Sequence, residues 1–129
     1  MTFHYTVTTK YSAEEAIERV KESLQEIQFS VLWETNITNN LHDKGLTEIT
    51  SNHHVLEVCN AKEAERVLLQ NEEAVYFLPC KITVFEKEGK THIGLPRPTV
   101  LMQPLNDSQL QKYLETIEER LIEAVNRSK

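Results

Sequence analysis

Two apolar stripes at helical spacing, one near each end of the chain, enclose a series of short alternating segments, and this arrangement restricts the fold more than any other feature. Ile17, Val20, Leu24 and Ile27 recur every three or four residues, with Ser12 and Glu15 placed as a capping box at their start. Leu110, Leu114, Ile117, Leu121 and Val125 repeat the pattern behind Asn106 and Gln109, which predicts a long helix running almost to the last residue. A striped helix buries one side only, so both helices need a common surface to pack on.

The segments between them supply it. Phe3 to Thr9 alternates, with Phe3, Tyr5 and Val7 on one face and His4, Thr6 and Thr8 on the other. Phe29 to Thr35 is rich in β-branched and aromatic residues and reads as a second strand, and His53 to Cys59 as a third. Asn36 to Gly45 reads as a polar turn or short helix, while Leu46 to Ser51 has no clear period. Asn60 with Glu63 caps a short helix whose buried side is Ala64, Val67 and Leu68. Tyr76-Phe77-Leu78 is a strand-like approach to Pro79. Cys80 to Glu86 then reaches Glu88-Gly89 and returns as Lys90 to Leu95, a strong hairpin pattern. Pro96 and Pro98 cannot donate to a ladder, and Thr99 to Met102 offers one last short strand.

The order predicts one two-layer α+β domain over residues 1–129. It has a mostly antiparallel sheet, two long helices on one face, and a short inserted helix in a β-α-β(4)-α order. The other face must then be polar throughout, or be covered by loops, a small-molecule ligand or a second copy of the chain. Trp33, Tyr76 and Phe85 are more bulk than one helix-covered face absorbs, so the expectation is a homodimer.

Composition excludes several functions. With 40% hydrophobic and 26% charged residues in 129, the chain has an ordinary globular balance. No apolar run approaches the roughly 20 residues of a membrane helix, and the N-terminal stretch has no secretion-signal pattern, so a cytoplasmic location is expected. A formal charge of -6, with Lys21, Lys62, Lys81, Lys90 and Lys112 scattered singly, argues against nucleic acid. Three glycines, Gly45, Gly89 and Gly94, cannot build a phosphate loop or a dinucleotide fingerprint, and no Gly-x-Ser-x-Gly elbow occurs. No cofactor is expected.

Four separated runs carry a resemblance: Val31-Leu32-Trp33-Glu34, Leu56-Glu57-Val58-Cys59-Asn60, Tyr76-Phe77-Leu78-Pro79-Cys80-Lys81-Ile82 and Ile93-Gly94-Leu95-Pro96-Arg97-Pro98. In this order, over nearly the whole chain, they resemble the bacterial and archaeal domain-of-unknown-function family numbered 302. The resemblance implies a strand-helix-four strands-helix fold, grouped loosely with TATA-binding-protein-like folds, and a homodimer. It implies no activity. One departure is Ala61 after Asn60, where the family pattern has proline; alanine should loosen that first helical turn slightly.

Five residues are the candidates for a site. Cys59 and Cys80 each lie where a strand-like segment meets a turn, and Cys59 precedes the Asn60 cap, whose free amides would lower a thiol pKa. Lys81 should point away from Cys80, because adjacent strand side chains face opposite ways. The plain alternative is that both thiols pack as small hydrophobes. His53 and His54 could join them in a metal site, but no CxxC or paired-histidine spacing is present and no metal is expected. Glu34 and Glu57 stand inside apolar strand segments, where an unpaired buried acid is costly, and Arg97 between two prolines is a candidate partner. They form either a structural ion pair or a pocket in which one acid has a raised pKa. The resulting reading is a non-enzymatic homodimeric binding or regulatory domain; the alternative is a thiol-dependent redox or metal-handling protein using Cys59 and Cys80.

Overall fold

Five of the segments that read as strands in the sequence are strands, and two are not. A computed structural model of the chain describes residues 2–129. The elements follow as β1 (His4–Thr9), α1 (Ala13–Glu26), β2 (Ser30–Asn36), α2 (Ile37–Asp43), β3 (His53–Cys59), α3 (Ala61–Gln70), a 3-10 helix (Glu72–Phe77), β4 (Cys80–Lys87), β5 (Lys90–Pro96), α4 (Pro98–Leu101), a 3-10 turn (Gln103–Leu105) and α5 (Ser108–Ser128). The architecture is the expected α+β one. The five strands form one antiparallel sheet in the order β1-β5-β4-β3-β2. The first two strands therefore lie on opposite edges, and α1 crosses the sheet between them.

The helices cover one face. Val20 and Leu24 of α1 and Leu110, Leu114, Leu121 and Val125 of α5 are sealed against Leu56, Val58, Ile82, Val84, Ile93 and Leu95 of the central strands. Burying a large aliphatic side chain contributes about 2 kcal/mol, so this layer supplies most of the driving force for folding. Local signals hold the ends: Ser12 accepts from the Glu15 amide, Asn36 from Thr38, and Asn60 from Glu63. At the β4–β5 turn Glu88 and Gly89 have φ of 55° and 75°, the left-handed pair that a two-residue hairpin loop needs.

Three expectations fail for identifiable reasons. The run before Pro79 is a 3-10 helix rather than a strand, because Asn71 caps it by accepting from Glu73 and only Ala74 turns inward. Tyr76 is left 81% exposed. Thr99 to Met102 belongs to α4 and a following turn, since Pro98 suits a first helical position and the Thr99 amide donates to Glu118. The last helix is capped by Asp107 instead of Asn106, which takes a left-handed φ of 50° to close the preceding turn.

Candidate functional site

The sequence left one geometric question about the thiols, and the register answers it. β3 and β4 pair Val58 with Cys80, so Cys59 lies one residue from that pair, at the strand end where Asn60 starts α3. Both cysteines are free and half-buried, and both line one apolar crevice closed by Ala64 and Val67 of α3 and Leu114 and Ile117 of α5. Its volume is about 20 Å³, room for roughly a single water. Burial pushes the Cys59 thiol up, and burial together with the neighbouring Cys59 pushes Cys80 up to about 11. The cause for Cys59 is desolvation of the thiolate, opposite in direction to the lowering expected from the Asn60 helix start.

The carboxylates and Arg97 do not converge. Glu34, on edge strand β2, accepts from the Lys21 ammonium of α1 at 2.8 Å, and this hydrogen bond raises the Lys21 pKa. Glu57 faces Lys81 across the β3–β4 ladder at 3.5 Å, so Lys81 does point away from Cys80. Arg97 joins neither. Its Nε donates to Glu118 at 3.1 Å, and the same carboxylate accepts from the Thr99 amide and hydroxyl at 3.0 and 2.7 Å. That buried set ties the loop after β5 to α5.

The face away from the two long helices is mixed in character, and α2 reaches it where the Thr38 hydroxyl meets His53 Nδ1 at 3.1 Å. Phe85 lies between His53 and His92, its ring nearly parallel to both, with centroids 6.3 and 5.1 Å away. The Ser51 carbonyl can only accept, so its 2.9 Å contact puts the proton of His53 on Nδ1. Trp33 pairs with Glu57 on the same side and is 51% exposed, because a bulge at Leu32 resets the register of β2. Phe3, His4, Thr83, Phe85, His92 and Pro96 border a groove of about 460 Å³. A Cβ at Gly94 would come within 2.4 Å of the Thr6 hydroxyl, so glycine is needed for β1 to lie this close.

A sequence profile described as "Domain of unknown function DUF302" matches residues 5–128. The chain belongs to the DUF302 family. A crystal structure of an uncharacterized conserved DUF302 protein from Bacillus stearothermophilus is similar over 100% of both chains, at 42% identity and a TM-score of 0.97. No curated protein shows significant similarity. The DUF302 chain thus shares its fold, length and family with that neighbour, and the resemblance of the four runs is confirmed.

Among the described residues of this DUF302 domain, no cluster of three or more His, Cys, Asp and Glu side chains could hold a metal ion, and no helix is long and apolar enough to cross a membrane. His53 and His54 diverge as alternation requires: His53 stacks on the open face, while Nε2 of His54 is enclosed with no hydrogen-bond partner. Glu118 escaped the sequence reading although a signal existed. It stands four residues after Leu114 and three before Leu121, on the apolar stripe, where a carboxylate is buried and must find partners.

Proposed function

We propose that this DUF302 domain is a non-enzymatic binding module that works as a homodimer, two copies meeting through the open faces of their sheets. The observation that carries this reading is Trp33, half exposed on the same sheet face as the His53–Phe85–His92 stack, the face that the two long helices leave open. Contact area supports it as well. Five strands about 4.8 Å apart and about 20 Å long span roughly 500 Å², and the accessible surface of such a relief exceeds its flat footprint, so full contact approaches the roughly 800 Å² per partner of a standard interface. The chemistry favours binding over catalysis: Glu34 and Glu57 each face a lysine, and both thiols resist ionisation.

Sedimentation or light scattering tests the reading directly. The wild-type chain should have twice its 15.0 kDa mass at micromolar concentration, and Trp33→Lys with Phe85→Lys should give a folded monomer. A wild-type monomer at about 100 μM, or a dimer indifferent to both substitutions, would sink it.

A second reading has one observation behind it, the crevice that Cys59 and Cys80 share. There the two thiols would act as a redox or metal-handling pair. Their raised pKa values count against it, since the thiolate is the reactive and ligating form.

A further inference from the structure

At the other end of the sheet from the thiols, three elements meet around a cleft of about 680 Å³: the β1–α1 connection, the β4–β5 hairpin and the last turn of α5. They meet because β1 pairs with β5, placing Thr9 opposite Thr91 and so Lys10 near Lys90. Lys129 arrives from α5. No carboxylate side chain lines the cleft, in a chain with 20 acids against 14 bases, and none of these three lysines forms an ion pair among the described residues.

A second observation is independent of the charges. Thr91 is 6% exposed, lines this cleft, and its hydroxyl has no hydrogen-bond partner among the described residues. The hydroxyl itself is not sealed off, since among the described residues only His54 Nε2 is an enclosed side-chain atom without a partner, so it is open to a group that enters the cleft. The lysines are not needed to neutralise the end of α5 either. Arg19, whose guanidinium lies 4.3 Å above the Tyr11 ring, already donates to the Ser128 carbonyl at 3.0 Å.

We infer that this cleft binds a small, multiply charged oxyanion, a phosphate ester or a polycarboxylate. Lys10, Lys90 and Lys129 surround its charge and Thr91 donates to one oxygen. Such a ligand supplies acceptor oxygens for the Thr91 hydroxyl and counter-charge for three ammonium groups, which neither a cation nor an apolar molecule does. The cleft size falls in the range of small-molecule sites. The site stands apart from the open face and does not depend on dimer formation.

Titration of the full chain with inorganic pyrophosphate and with tricarballylate, followed by calorimetry and amide chemical shifts, tests the assignment. One of the two should bind saturably with shifts at residues 8–11 and 89–91, and the tighter one names the source of the oxyanion. Lys10→Gln with Lys90→Gln should weaken it about tenfold or more, and Thr91→Val about threefold, while Lys62→Gln on α3 leaves it unchanged. Because Lys10 and Lys90 are exposed, their substitution leaves folding intact. Absence of saturable binding by both probes at physiological salt, or equal affinity in every variant, would overturn the inference.

Discussion

The two faces of the sheet obey different rules. On the helix side every central strand contributes aliphatic residues with essentially no exposure, such as Leu56, Ile82, Val84 and Ile93. On the open side the same strands contribute His53, Glu57, Lys81, Thr83, Phe85 and His92, none of them fully buried. One face holds the fold together, so the other is free to carry surface chemistry without loss of the core. Leu121→Ala breaks or sustains this contrast with the largest effect. Leu121 is completely enclosed, and the change should cost about 3 kcal/mol in denaturant unfolding. Phe85→Ala, a larger truncation, should cost only about 1 kcal/mol at concentrations where the chain is monomeric, because the ring, though flanked by two histidines, stays partly exposed to water. Equal costs would mean that the open face is a second core.

Glu118 is the polar exception on the covered side, and it sharpens the comparison. Its carboxylate is held by Arg97, the Thr99 amide and the Thr99 hydroxyl. Glu118→Ala leaves an arginine and an amide without their acceptor and should cost about 2 kcal/mol, nearly as much as an apolar truncation. Glu118→Gln keeps an acceptor for Thr99 and should lose about half of that. If Arg97→Ala is as costly in the Glu118→Ala background as in wild type, the two side chains are not coupled and the link is incidental.

How far the sequence could foresee this divides along the same line. Strands whose apolar residues alternate against helices of clear period were legible, as were the Ser12 and Asn60 caps and the Glu88-Gly89 turn, because each rests on chemistry within a few residues. Tyr76 and Phe77 were misread because an apolar run says nothing about whether a core awaits it. The pairings of Glu34 with Lys21 and of Arg97 with Glu118 depend on which helix lies over which strand, which local pattern does not encode. The lysine cleft was less legible still. Lys10, Lys90 and Lys129 are scattered along the chain, and only the pairing of β1 with β5 instead of β2 brings them together.

The thiols give the smallest effect, and the test reaches into the seam between α3 and the sheet. Cys80 has its pKa raised from an ordinary 9.0 to about 11 by burial and by Cys59. The unfolded chain therefore ionises first. The stability associated with the neutral thiol is fully present below about pH 9 and is lost as the pH climbs toward about 11. At neutral pH nothing should change. Wild type should accordingly lose stability over that alkaline window, and Cys80→Ala should lose less across it, whatever its stability at pH 7. Iodoacetamide at pH 8 should label native Cys80 far more slowly than the unfolded chain, with Cys59 intermediate. Labelling of both thiols at the unfolded rate would mean that the crevice opens freely, and that the covered side of the sheet is less closed than its aliphatic layer implies.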